Sequence, residues 1–153
     1  MPQGDLRYFD PGQSVPVELQ ADGSGNVATR GDAVEIVGES GGVTQVALVS
    51  TAGDGIGHIT NNPDEYDSST SYGNNEVVGT TAALVGGPVD WHPTDSGYTA
   101  TAGDLVVLDA GGDLRAYNSG GGDTPDMIYG RVFATGQRSS AATKDKAAVI
   151  RWK

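Results

Sequence analysis

The chain has 153 residues with 24 glycines, 7 prolines, no cysteine and a net charge of −11. That length holds one domain with a core, or a domain with an arm, and excludes two full-sized domains. The lack of thiols excludes a disulfide framework and a thiolate metal site, and no apolar run exceeds four residues, so neither a membrane span nor a signal peptide is expected.

Residues 1–14, "MPQGDLRYFDPGQS", precede the first alternating stretch and read as an N-terminal arm, with Leu6, Tyr8 and Phe9 spaced among polar residues. Residues 15–153 read as a single β domain. Glycine and proline recur too often for a helix of any length. Period-two alternation appears instead at Val15, Val17 and Leu19; at Val34 and Ile36; at Val46 and Leu48; at Leu105 and Val107; more loosely at Ile128 and Val132; and near Val149. Such stretches bounded by turn residues predict short, half-buried strands.

An internal similarity joins two of them. "GDAVEIVGESGGV" (31–43) and "GDLVVLDAGGDL" (103–114) share a Gly-Asp entry, an alternating strand, an acidic glycine turn and a returning apolar residue. "VPVELQADGSGNV" (15–27) is a weaker third member, and all three predict β-hairpins. Between the better copies, residues 60–76 ("TNNPDEYDSSTSYGNNE") have no apolar period and predict a long exposed loop carrying Tyr66 and Tyr72. "GGPVDWHPTDSGY" (86–98) predicts a second excursion from the sheet, with Trp91 as a core anchor.

Charge is uneven along the chain. Residues 1–126 carry nineteen acidic side chains against Arg7, Arg30 and Arg115, a net of −16, whereas 127–153 carry six cations against Asp145, a net of +5. The basic C-terminal segment, 131–153, with Arg131, Arg138, Lys144 and Lys146, points to an acidic protein partner. So acidic a body repels phosphate, and no nucleic-acid partner is expected. Asp outnumbers Glu by 15 to 5 and lysine is confined to three positions. That composition suits concentrated salt, in which self-repulsion is screened over roughly 3 Å at 1 M. Thermal melts followed by circular dichroism are therefore expected to give a higher midpoint in molar KCl than in dilute buffer; equal midpoints would remove the salt-adapted reading.

No enzyme is expected. "GESGG" (38–42) fits the G-x-S-x-G elbow, but the elbow needs a helix after its serine, and Ser40 is followed by the strand pattern "VTQVALVS". A trypsin-like order fails as well, because His58 and His92 both follow Ser40. The histidines lack the H-x-H or H-x-x-x-H spacing of a metal pair and read as exposed polar residues. Asp64, Glu65 and Asp67 are weak candidates for a Ca²⁺ or monovalent-cation site, without the glycine and closing glutamate of an EF-hand. "RGD" (30–32) reads as a strand entry, since its Gly-Asp recurs at 103–104. No cofactor is expected.

The stretch "TAGDLVVLDAGGDLRAYNSGG" (101–122) with "DMIYGRVFATGQ" (126–137), echoed by "RGDAVEIVGESGGVTQVAL" (30–48), resembles the small decoration, or cement, proteins that bind the outside of tailed-phage capsids. With the acidic composition, the resemblance is to a decoration protein of a tailed virus of a salt-loving archaeon. It implies a small β-barrel or β-tulip of short antiparallel strands with an extended arm, commonly a homotrimer. It also implies a major capsid protein as partner and a place on the virion surface after assembly in the host cytoplasm. Leu6, Tyr8 and Phe9 of the arm and Arg131, Arg138, Lys144 and Lys146 are the expected capsid contacts, with Tyr66 and Tyr72 facing away. The alternatives are a glycan-binding β-sandwich, on Trp91, Tyr98, Tyr66 and Tyr72, and a tail or baseplate structural protein of such a virus.

Overall fold

A computed structural model describes residues 13–85, 89–136 and 146–152. It is all-β. Ten strands follow one another: β1 (Gln13–Gln20), β2 (Ala33–Ser40), β3 (Val43–Leu48), β4 (Gly57–Ile59), β5 (Val77–Val85), β6 (Val89–Pro93), β7 (Leu105–Leu108), β8 (Leu114–Ala116), β9 (Gly130–Gly136) and β10 (Lys146–Arg151). Two single 3-10 turns, Ser119–Gly121 and Pro125–Met127, lie between β8 and β9.

The first five strands close into a barrel in the order β1-β3-β2-β4-β5, and the last five form a sheet in the order β6-β10-β9-β7-β8. These are one topology used twice. In the barrel β1 lies parallel to β3 and antiparallel to β5. In the second unit β6 lies antiparallel to β10 and touches β8 through the parallel bridge Thr94↔Leu114. Loop hydrogen bonds repeat too. Gly31 N–H donates to Ile59 C=O and Ile59 N–H to Asp32 C=O, just as Gly103 donates to Val132 and Val132 to Asp104. Ile56 N–H donates to Val34 C=O as Tyr129 does to Val106, and Val49 to Ala33 as Tyr117 does to Leu105. Val34, Ile56, Ile59 and Ala83 of the first unit thus correspond to Val106, Tyr129, Val132 and Val149 of the second.

The entry turns of the repeat have a chemical cause. Asp32 N–H donates to Thr29 C=O, and the Asp32 carboxylate accepts from Thr29 N–H at 2.8 Å; Asp104 and Thr101 do the same, at 2.9 Å for the carboxylate bond. Between them Gly31 and Gly103 hold φ of 89° and 98°, the third position of a type II turn, where a side chain is strained. "RGD" is therefore a strand entry, as its recurrence predicts.

The 31–43 and 103–114 segments form the expected hairpins, β2–β3 and β7–β8. The first turns through Gly41 and Gly42, both at positive φ, which is what a two-residue hairpin turn of matching twist needs. Ser40 ends β2 in this turn, with a strand after it. Segment 15–27 corrects the third expectation. β1 pairs with β5 and β3, and the chain after it is held by Asp22, whose carboxylate accepts from Ser24 and Asn26 N–H. An Asx loop of this kind changes direction without returning a strand.

Two further expectations shift. Gln13 and Ser14, expected in the arm, pair with Val85 and Leu84 in the barrel. The excursion expected at 86–98 contains β6, which the flanking prolines conceal; Pro93 sits at the strand's end, where no interior ladder bond is lost. Residues 60–76 hold no strand, as expected.

The barrel has its own core of Val17, Leu19, Ala28, Val34, Val46, Ile59, Val78 and Ala83. The second core, around Val106, Leu108, Leu114, Tyr129, Val132, Ala147 and Val149, also takes in Ala33 and Val49 of the first unit. Gly111 N–H donates to Val49 C=O at 2.6 Å, and Gly53 N–H to Leu108 C=O at 2.9 Å, so the β7–β8 hairpin is seated on the barrel. The described strands thus form two units joined through that core.

Arg115 and Asp123 form a forked pair at 2.6 and 2.8 Å that ties β8 to the following loop. The Asp123 side chain is only 7% exposed. The Arg115 guanidinium, helped by the Asn118 N–H, holds its carboxyl down at about 2, against an ordinary 3.8. A depressed carboxyl stabilises the fold fully above its ordinary value and loses that contribution as pH falls through its folded value. Stability is accordingly expected to drop by on the order of 1–2 kcal/mol between about pH 5 and pH 2 from this pair, a part of the acid dependence that Asp123→Asn removes in urea titrations run across that range.

Candidate interaction faces

The C-terminal strand β10 runs between β6 and β9 and exposes one side of the second unit. Its inward residues, Ala147 and Val149, enter the core, so Ala148, Ile150 and Trp152 point outward. Ala148 pairs with Trp91 on one side and Ala134 on the other, yet it is 1% exposed. The cover is the Trp91 indole, which crosses β10 and comes so close to Gly136 that a Cβ there would meet its ring at 3.3 Å. The indole remains 42% exposed. Trp91 is thus an outer-face residue and not the core anchor expected.

A bulge enlarges this face. β10 pairs Ala148 with Ala134 and Val149 with Val132, so Phe133 stands opposite no residue and is 58% exposed. Ile150, at 40%, and Trp152, at 55%, continue the surface. The Arg131 guanidinium lies 5.9 Å from the centre of the Trp152 ring and donates to Gly103 C=O. An exposed set of two tryptophans, a phenylalanine and an isoleucine edged by arginine has the make-up of a protein-binding surface.

A second apolar point sits at the β2–β3 hairpin. Val37 is bulged out between the Ile36↔Val46 and Gly38↔Gln45 pairs. Ile36, Val37 and Val43 are 58%, 46% and 37% exposed, with Glu39 exposed beside them.

Behind the C-terminal face the second core is more polar than the first. His92, Thr94 and Tyr129 stand where the barrel has Val17, Leu19 and Ile56. His92 Nε2 and Tyr129 Oη are 3.1 Å apart, with His92 fully buried. His58 meets the His92 ring edge-on at 6.0 Å, and Arg151 lies over the Tyr129 ring and donates to Ile56 C=O. His92, expected on the surface, is a core residue because the register of β6 against Ala147 turns it inward.

The other expected residues are dispersed. Leu6, Tyr8, Phe9, Arg138 and Lys144 lie outside the described residues. Lys146 opens β10, paired with Pro93 and Gly136. Tyr66 and Tyr72 stack on each other at 6.2 Å and pack half-buried against the barrel core, while the loop around them is exposed. Asp67 accepts from Ser69 N–H and Oγ–H, which lower its carboxyl below the usual range. Among the described residues no three His, Asp or Glu side chains converge as a metal ion requires, Asp64, Glu65 and Asp67 included. Sequence reasoning missed Phe133, Ile150 and Trp152; the run "RVF" offered a sign, since with Val132 read as inward, alternation turns the adjacent Phe133 outward.

No protein-family model matches the chain, and no curated protein matches it.

Proposed function

We propose that this chain is a structural virion protein that decorates and stabilises an icosahedral capsid, the cement protein of a tailed virus of a salt-loving archaeon. The observation that carries this reading is the aromatic face on which Trp91 of β6 joins Phe133, Ile150 and Trp152, the last three borne by the same C-terminal stretch that holds the chain's excess of cations. An apolar centre edged by Arg131 suits an acidic protein shell: the aromatic residues supply affinity, and the cations of the C-terminal stretch steer encounter and register. The major capsid protein is the partner, a homotrimer over the local three-fold positions the assembly, and the virion surface the location, reached in the host cytoplasm. A protein that binds the assembled shell and not its dissociated subunits stabilises the shell by mass action. Leu6, Tyr8 and Phe9 add three apolar residues among polar ones, suited to a groove or a strand edge of the shell.

Co-sedimentation with undecorated capsids in molar salt tests the reading. The full chain should pellet with the shells and raise their thermal midpoint. Deletion of residues 1–12, and separately Arg138→Gln with Lys144→Gln and Lys146→Gln, should each weaken binding. If the full chain stays in the supernatant the function is wrong; if both variants pellet like the parent, the surface is.

A further inference from the structure

The internal duplication exposes one surface on each unit that its counterpart buries. Within the chain the second unit docks on the first through its hairpin: Gly111 and Gly112 sit against Val49 and Ala33, and Leu108 sits against Gly53 and Gly55. Leu108 is accordingly 0% exposed, as are its partners nearly, with Ala33 and Val49 at 2% each. The register places Ile36 where the second unit has Leu108, since Val34↔Leu48 and Ile36↔Val46 match Val106↔Ala116 and Leu108↔Leu114. Ile36 is 58% exposed. The seat has a counterpart too: Leu105 and Tyr117 take the positions of Ala33 and Val49, and Arg131 that of His58. These three lie on the outside of the second unit, Leu105 and Tyr117 half-buried and Arg131 exposed.

Each chain therefore carries one hairpin tip and one seat left over from the pairing that joins its own halves. We infer that the chain associates with a second copy head to tail, the β2–β3 tip of one copy docking on the Leu105, Tyr117 and Arg131 seat of the next. Two observations favour a second copy as the occupant. The contact continues one already made inside the chain, with apolar Ile36 and Val37 in the role of Leu108. Charge is complementary as well, because the tip carries Glu39 and the seat Arg131, both exposed. The units differ in length at these same places: the β2–β3 hairpin runs past the register of its counterpart, and the chain from 117 to 129 that borders the seat is longer than 49 to 56. A contact between unlike surfaces leaves a fresh tip and a fresh seat at the ends, so it closes into a ring when the rotation allows and otherwise extends. This inference does not depend on the capsid reading.

Mass measurement by light scattering on the full chain in about 1 M KCl tests it, with melting midpoints taken alongside to establish folding. The parent should be larger than a monomer. Ile36→Asp with Val37→Asp removes the tip, and Leu105→Gln with Arg131→Glu removes the seat; each variant alone should be monomeric with a midpoint close to the parent. An equimolar mixture of the two retains one good tip and one good seat per pair, and should form a one-to-one heterodimer and nothing larger, identified with a mass tag on one variant. A monomeric parent, variants that assemble as the parent does, or a mixture that remains monomeric would overturn the inference. If a seat variant unfolds, Tyr117→Ser replaces it in the same scheme, with the same outcomes.

Discussion

Gly130→Ala is expected to destabilise the protein by about 3 kcal/mol, the upper part of the range for overpacking a filled interior, and Gly57→Ala by a similar amount. At both positions a Cβ would overlap a backbone carbonyl oxygen of the neighbouring strand, that of Ile150 for Gly130 and of Leu84 for Gly57. Backbone cannot rotate out of the way as a side-chain tip can. Each glycine opens the fourth strand of its unit, pairing with Arg151 and Val85 at corresponding points of the two sheets. Neither has a positive φ, so the requirement is close approach of backbones and not turn geometry. Urea unfolding of the two variants measures this directly. Gly97→Ala, whose Cβ meets nothing within 4 Å, serves as the control and should change stability little. Equal midpoints for Gly130→Ala and the parent would mean that β9 and β10 lie farther apart than described.

Trp91→Ala is expected to cut binding to undecorated capsids at least tenfold while leaving the fold largely intact. Truncating a buried aromatic anchor at an interface commonly costs more than about 1.4 kcal/mol, a factor of ten in affinity. The indole is the broadest element of the face, and its removal also uncovers Ala148 and Gly136, so the surface loses both contact area and shape. Phe133→Ser, at a bulge that pairs with nothing, should weaken binding without changing the melting midpoint. Sedimentation with capsids and a parallel thermal melt separate the two effects. Loss of binding accompanied by loss of fold would assign Trp91 to structure alone, and unchanged binding for both variants would remove this face from the capsid reading.

β1, β2, β3 and β7 were legible because their apolar residues recur at every second position between turn residues, although β7 buries Val106, Val107 and Leu108 in succession and β10 buries Ala147, Ala148 and Val149. β4 is three residues long and β8 likewise, too short for any period to register. β5 escaped for a different reason. In "VVGTTAALV" Gly79 makes room for Glu65, and the alternation is broken where a loop carboxylate lies against the strand. The hairpin similarity between 31–43 and 103–114 was a fragment of a longer duplication. Its remainder is hidden because core positions changed chemistry, Val17 to His92 and Leu19 to Thr94, while the hydrogen-bond pattern was kept. Backbone register can survive substitutions that erase a hydropathy pattern. The interaction faces were less legible still. Exposure of Val37 or Phe133 goes with a bulge, and a bulge depends on the partner strand, which a local reading does not contain.

The two cores are not equals. Among the described residues the barrel's is lined only by residues of the first unit, whereas that of the second sheet includes Ala33 and Val49, and its β6–β8 seam is bridged at Thr94↔Leu114. During synthesis the first unit leaves the ribosome before the second exists, and it has every strand needed to close. It then offers a finished surface on which the later strands condense. The amino-terminal half thus acts as a template for the carboxy-terminal half, and lesions in the barrel are inherited by the sheet while the reverse need not hold.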